Sequence, residues 1–433
     1  MQTPLKLNYR RTFLVGLAFM SISAFWQMYD NVIPLILKYT FSIDDTLIGV
    51  VMAMDNVLAL VLLPVFGRLS DKTRTRIGRR MPYILVGTAV ALACLVLLPA
   101  AQAAGNLPLF FVGLGLVLVA MATYRSPAVA LMPDVTPKPL RSQGNAVINL
   151  MGAVGGMLML LAMQLMLPAA VSGQDYRPNY APLFLTLGIV MAVCVAVLLA
   201  TIREVPLAAE TEQINRALGG QEAQAAPAAA GGSLSKAHRR SLWFILASVA
   251  LWFFGYNAVT SGFSRYATEV LGGSFSMILM VCTAAAIVSY IPVGIIASRI
   301  GRKKTILIGV ALLGSAFLAA GFFRSVTAVI YIFFIMAGMG WAFINVNSYP
   351  MVVELASAGD TGQYTGYYYT VSMAAQIATP IFSGFLMGHV GYWTLFPYAT
   401  LFVWGSFVTM LFVKHGDSKP QAKRGLEALD VDD

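Results

Sequence analysis

The stretch GRLSDKTRTRIGRR, Gly67 to Arg80, decides how the rest of the chain is read: fourteen residues hold six cations and one carboxylate, Asp71. It closes one long apolar run, 46 to 69, and precedes another, 81 to 101. Each run has the roughly 20 residues that cross a hydrocarbon core. The segment is therefore a short charged loop between two membrane spans, and its cations mark the side of the membrane on which it lies.

Composition agrees. Of 433 residues 58% are apolar and only 11% charged, against about a quarter charged in ordinary soluble proteins. Mean hydropathy is +0.74. Apolar runs of spanning length fall at 12 to 37, 46 to 69, 81 to 101, 107 to 133, 143 to 169 and 181 to 202, then at 239 to 264, 273 to 298, 304 to 323, 326 to 353, 364 to 388 and 391 to 413. The expected fold is an all-α membrane protein of twelve transmembrane helices arranged as two six-helix bundles. The first run is too long and lacks the small-residue cleavage site of a signal peptide, so it reads as a span.

With the N-terminus inside, cytoplasmic segments hold 24 of the 29 Lys and Arg residues. External segments hold Lys38, Arg177, Arg265 and Arg324, and Arg125 alone is intramembrane. This asymmetry predicts cytoplasmic N and C termini and accounts for the net charge of +10 without nucleic acid. Cys94, Cys194 and Cys282 all lie in apolar runs, which offers no disulfide framework or metal motif. No metal and no cofactor are expected.

The segment from 203 to 236 is polar and then rich in Ala, Gly and Pro, which predicts a cytoplasmic linker, mostly mobile, with room for a short surface helix at its start. It divides an N-terminal bundle, 1 to 202, from a C-terminal bundle, 237 to 414, and a cytoplasmic tail follows at 415 to 433. The halves echo each other. Gly294-Ile-Ile-Ala-Ser298-Arg-Ile-Gly-Arg-Lys303 repeats the Gly67 segment 227 residues on, with Ser298 at the place of Asp71. Paired halves are what secondary transporters with a midplane site display.

The pattern G-x-x-x-D-(K/R)…G-(R/K)-(R/K), its degenerate copy and the six-plus-six layout resemble the major facilitator superfamily. DKTRTRIGRRMPYI at Asp71 to Ile84, LMPDVTP at Leu131 to Pro137 and GQYTGYYY at Gly362 to Tyr369 are similar, more narrowly, to the glycoside-pentoside-hexuronide:cation symporters and the related sucrose-proton symporters. The resemblance implies that Asp71, with Arg79 and Arg80, acts in a cytoplasmic gate. Ser298 puts an equal role in the second copy in doubt. The plainer alternative is that the cations only satisfy the inside rule.

Asp30, Asp55 and Arg125 are the ionisable residues well inside apolar runs, where each costs about 2.5 to 3.5 kcal/mol at a helix centre. They are expected to face a cavity or one another. Ser23, Trp26, Gln27 and Asp30 share one helical face, and Pro34 loosens the turn after it. A carboxylate beside an indole suits a sugar, though Asp30 could also just reach water at an external rim. Asp55 is nearer the middle of its span and suits cation coupling, with Asp30 as second candidate; a fixed structural pair of Asp55 with Arg125 is the alternative. Arg125 could bond sugar hydroxyls with its planar fork, and the resemblance also implies a functional arginine in span four. The family's second carboxylate one turn from Asp55 is absent, since Leu58, Ala59 and Leu63 stand there, which favours protons over sodium.

Neutral polar stripes at helical spacing complete the candidate site: Asn149 on span five, Asn257 on span seven, Asn345 on span ten, Tyr368 and Gln376 on span eleven. One buried cation among amides, hydroxyls and aromatics suits an uncharged polyhydroxy compound better than a phosphate. The expectation is a monomeric, multi-pass cell-membrane carrier, not an enzyme, coupling a proton to an α-glucoside such as sucrose or maltose by alternating access. A proton-coupled drug or metabolite exporter and a lysolipid carrier are the alternatives on the same fold. His238, His389 and His415 lie outside the spans or at their ends and form no H-E-x-x-H motif, so an intramembrane enzyme has little support.

Overall fold

The computed structural model describes residues 6–169, 176–222, 236–355 and 361–415. Among them every regular element is helical. The α-helices are α1 Tyr9–Leu35, α2 Asp45–Lys72, α3 Met81–Leu95, α4 Leu97–Ala103, α5 Leu107–Asp134, α6 Arg141–Met166, α7 Ala181–Thr201, α8 Glu204–Glu222, α9 Lys236–Tyr266, α10 Phe275–Ile300, α11 Arg302–Ala320, α12 Ala328–Val353, α13 Thr361–His389 and α14 Leu395–Leu411. Single π turns follow α1 at Ile36–Thr40 and α9 at Ala267–Leu271.

Among the described residues twelve helices are long and apolar enough to cross a membrane. Their surfaces confirm the solvent they are built for. Leu185, Ile189 and Val193 stand on one face of α7, and all are more than half exposed. In water a helix turns polar residues outward, so an apolar outer stripe means lipid. The first and seventh spans run further than the apolar runs suggest, to Thr40 and Leu271, and so take in Lys38 and Arg265. Arg265 does not lie in an external loop: it is in α9 and fully buried. A partner makes this possible, because a buried guanidinium is tolerated when a carboxylate meets it, and Asp45 does so.

Contacts divide the chain into two compact units. One comprises residues 1–29, 57–167 and 178–227; the other comprises 30–56, 168–177 and 228–433. In the first, α3 packs along α5 and α7, and α1 meets α6 closely: a side chain at Gly155 would strike the backbone of Met20, and one at Gly152 would meet Ser23. In the second, α11 packs along α12, and α9 along α13 and α14. Its core is aromatic, with Phe263, Tyr266, Phe334 and Phe396 in mutual contact.

Helix α8 is longer than the short surface helix expected at the head of the linker. Its sequence is rich in helix formers and begins with an acid. It is pinned to the first unit by Arg11–Glu210 at 3.2 Å and by Asn215, which accepts the Lys138 N–H at 2.9 Å. The mobile stretch expected after it, and the tail beyond His415, lie outside the described residues.

Candidate functional site

On α1 the candidate face carries an aromatic plate. Trp26 packs edge-on against Phe25 and Tyr29, with ring centres 5.0 and 5.4 Å away. The Arg125 guanidinium sits over the indole at 5.5 Å. The sequence singles out Trp26 and Arg125 separately, and α1 and α5 bring them together. Their register is set next door: the fully buried Tyr124 hydroxyl donates to Ala18 O at 2.9 Å and also meets the Ser21 hydroxyl. That bond fixes the turn of α5 from which Arg125 projects. Gln27 runs along α6 at Gly156, where a methyl would touch its amide oxygen. Half-buried Asn149 lies two turns before Gly156 on α6. An indole face, a planar five-donor cation and a neighbouring amide can cover one face of a ring and bond the hydroxyls at its edge. A stacked cation of this kind is worth about 0.5 to 2 kcal/mol, more as water is excluded.

In the second unit Asp30 is half-buried on α1, one turn after Trp26 on the same helix. Asp55 is also half-buried, and its carboxylate accepts the Asn56 side-chain amide at 2.8 Å. Asn345 and Gln376 are half-buried. Asn257 is half-buried with its amide nitrogen out of solvent and unbonded. Beside it Tyr256 stacks flat on Trp341, centres 3.6 Å apart and planes at 4°. Tyr368 is placed differently from an open cavity wall: it is 3% exposed, bonds Ser348 at 3.0 Å and packs edge-on against Tyr349, tying α13 to α12.

The charged loop of the first unit is a dense ion cluster. Arg80 donates to Asp71 at 2.5 Å, to Asp134 at 2.8 Å and to the Ser70 hydroxyl at 2.5 Å. Arg79 grips the same Asp134 through two nitrogens, at 2.6 and 3.1 Å. Arg80 is 6% exposed and Asp71 57%, so the arginine is the fixed member of the pair and the aspartate the releasable one. Burial works against the Arg80 charge, but the hydrogen bonds from its side chain to Asp134 and Asp71 outweigh it, and its pKa rises above the ordinary arginine value.

Two residues of this cluster carried no assigned role in the sequence reading. Asp134 lies in the LMPDVTP motif and bridges both arginines. Glu204, the first residue of α8, accepts the backbone N–H groups of Arg79, Arg80 and Met81 at 2.8 to 3.0 Å and so caps α3 in place of a local side chain. Gly78 makes room for it, since φ is +121° there and a Cβ would collide with the Glu204 carboxylate. A lone carboxylate directly after span six was the available signal.

The second copy keeps half of the arrangement. Gly301 again has a positive φ, +92°, and Arg302 reaches Glu354 at the end of α12 at 2.6 Å, as Arg80 reaches Asp134 at the end of α5. At the Asp71 position the Ser298 hydroxyl donates only to Ile295 O on its own helix.

A third cluster was missed entirely. Asp45 opens α2 and accepts from Arg265 of α9 at 2.8 Å, Lys38 at 2.6 Å and the Tyr392 hydroxyl at 2.8 Å. The charges of Lys38, Asp45 and Arg265 at the ends of spans one, two and seven are the signal, and the charge on Arg265 alone reads as the edge of a loop.

The chain is similar to several known proteins. The chain matches the Major Facilitator Superfamily over residues 15–296 and 273–430. Over 60 residues it is 40% identical to a lactose permease of Lactobacillus helveticus, a stretch that is 13% of this chain and 9% of that protein. Among solved structures it is similar to the xylose transporter XylE from E. coli in its inward-open conformation, with a TM-score of 0.69 and 12% identity, covering 97% of this chain and 98% of XylE. It is also similar to the nucleoside transporter NupG, with a TM-score of 0.64 and 16% identity over 93% of this chain and 100% of the other. At such identities the likeness is one of fold.

Proposed function

This chain belongs to the Major Facilitator Superfamily and is a multi-pass membrane transporter, and we propose that it is a secondary active carrier coupling proton entry to uptake of a sugar, an α-glucoside such as sucrose or maltose, across the cell membrane. The observation that carries the reading is the Arg125 guanidinium stacked on the Trp26 indole, with Gln27 and Asp30 on the same helix. That chemistry recognises a neutral ring bearing hydroxyls: the indole covers its apolar face, and the charged groups bond its edge. The lactose permease stretch and the xylose and nucleoside carriers of the same fold lend support.

In this reading Trp26, Gln27, Asp30 and Arg125 hold the sugar. Asp55 takes up the proton. Away from water a carboxyl prefers to be neutral, so a change in its surroundings between the two access states loads and unloads it. The concentration of cations in the short loops supports cytoplasmic termini and an Asp71 cluster at the inner end. There Asp71 gates by binding and releasing Arg80.

Uptake into transport-deficient cells, with labelled mono- and disaccharides, a nucleoside and a lysolipid, tests the proposal. Accumulation of one sugar class, abolished by a protonophore, is the expected result. Uptake of the nucleoside or lysolipid with no sugar transported would overturn it.

A further inference from the structure

Helices α9 and α14 are zipped together at the end where α9 begins and α14 stops. Ser248 bonds Thr409 at 2.6 Å, and the Phe244 ring stacks on Phe412 at 5.3 Å. Ser241 meets His415 Nδ1 at 3.0 Å and accepts the Lys414 N–H at 3.3 Å, and the His238 and His415 rings lie 4.3 Å apart. Lys303 of α11 completes the joint by donating to the Leu411 and Val413 carbonyls at 3.0 and 2.6 Å, which caps the end of α14.

This joint gathers cations without an acid to meet them. Arg239, Arg240 and Lys414 are exposed, and among the described residues none of the three is in an ion pair. The charged loop of the first unit is the contrast, since Asp134 and Glu204 meet Arg79 and Arg80 there. At the matching place in the second unit Glu354 meets Arg302, and Lys303 is occupied by backbone carbonyls. The three exposed cations call for an anion.

Bare aromatic surface adjoins them. Trp243 is 67% exposed and Phe412 54%. Arg239 and Trp243 stand one turn apart on α9, as do Arg240 and Phe244, and the Arg240 guanidinium lies over the Phe244 ring at 5.6 Å. On α14, Leu401, Val408 and Phe412 share one face, and each is more than half exposed. An apolar outer face that ends in aromatic rings and then in cations follows the order of a lipid from its tails to its phosphate.

We propose that this end of α9 and α14 is a binding site for an anionic phospholipid: an acyl chain lies along Leu401, Val408 and Phe412, Trp243 covers the glycerol region, and Arg239, Arg240 and Lys414 meet the headgroup phosphate. A lipid suits the place better than free phosphate. The cations stand on an exposed surface, where a soluble ion keeps its water, whereas a chain laid on the apolar face adds an attraction of its own. Each Lys or Arg near an anionic lipid strengthens the attraction about fivefold. The site requires only that the chain spans a bilayer, and it is independent of what is carried.

The test reads Trp243 in the full-length protein, in phosphatidylcholine bilayers holding a small share of lipid brominated on its acyl chains, either phosphatidylglycerol or phosphatidylcholine. Bromine quenches an indole it touches, and Trp243→Phe in the same bilayers subtracts the other tryptophans. Brominated phosphatidylglycerol should be enriched beside Trp243 at least about fivefold over its share of the bilayer, and Arg240→Gln with Lys414→Gln should reduce the enrichment to below about twofold. Arg74→Gln with Arg76→Gln, which removes two exposed cations from the charged loop of the first unit, should leave it as it was. Equal quenching by the two brominated lipids in the native protein would overturn the site, as would an enrichment that survives the loss of Arg240 and Lys414 or falls equally with Arg74 and Arg76. Displacement of the lipid by inorganic phosphate would make this an anion site only and overturn the lipid assignment.

Discussion

Replacing Glu204 by Gln tests whether the charged loop is held by one carboxylate from the head of α8. Three backbone N–H groups converge on the two oxygens, and the residue is 2% exposed, so solvent cannot take over. Gln keeps one acceptor and turns an NH2 group toward donors. One charge-assisted bond is lost outright, the others fall to neutral strength, and the favourable negative charge at the α3 N-terminus goes. With about 1.5 to 3 kcal/mol for a bond to a charged group and about 0.3 to 1 kcal/mol for the helix end, the cost is about 2 to 4 kcal/mol. Arg79 and Arg80 keep Asp134, so the loss is local. At tenfold per 1.4 kcal/mol, opening of this segment rises about 30- to 700-fold. Hydrogen exchange followed by mass spectrometry reads it at the amides of residues 78 to 81, with the buried middle of α5 as an unchanged reference. Acceleration below about threefold, with the protein folded, would refute the cap.

Three further outcomes follow from the same geometry. Arg125→Lys removes the planar fork from the Trp26 indole while keeping the charge, and should raise the sugar concentration for half-maximal uptake about tenfold or more, with expression unchanged; unaltered affinity would remove the stack from the site. Asp55→Asn should abolish accumulation driven by a pH gradient yet retain exchange of internal for external sugar, whereas Asp30→Asn should weaken sugar affinity in both assays. Asp71→Asn, on the exposed side of the Arg80 pair, should slow turnover while binding measured in detergent stays within about twofold; lost binding in a folded variant would make Asp71 part of the site.

The twelve spans were legible because bilayer thickness fixes their length and the apolar residues fill them on every side, so no fine periodicity was needed. The charged stretch from Gly67 to Arg80 was legible as the break between two spans because its cations are concentrated between two such runs, although its first six residues continue α2 to Lys72 instead of forming a loop. What stayed hidden was pairing. Arg265 looked like the edge of a loop because charge normally marks water, and only the fold supplies Asp45, 220 residues away, to keep it buried. Glu204 fell unremarked among the polar residues at the head of the linker, because its partners are backbone groups, which leave no trace in side-chain pattern. Trp26 and Arg125 were each singled out by cost and chemistry, but their stacking depends on the rotation of α5, fixed by a Tyr124 hydrogen bond that no spacing rule predicts. Tyr368 illustrates the converse: helical spacing put it on a polar stripe, while packing turned it into a tie between α12 and α13.

The central claim is that a proton gradient drives a sugar through this protein. Purified protein reconstituted into liposomes, given an inwardly directed proton gradient without sodium and a trace of labelled sucrose or maltose outside, measures it. The account predicts accumulation of one of these sugars above the external concentration, collapsing to equality when a protonophore is added. Equilibration without accumulation, or accumulation that requires sodium and ignores the protonophore, would contradict it.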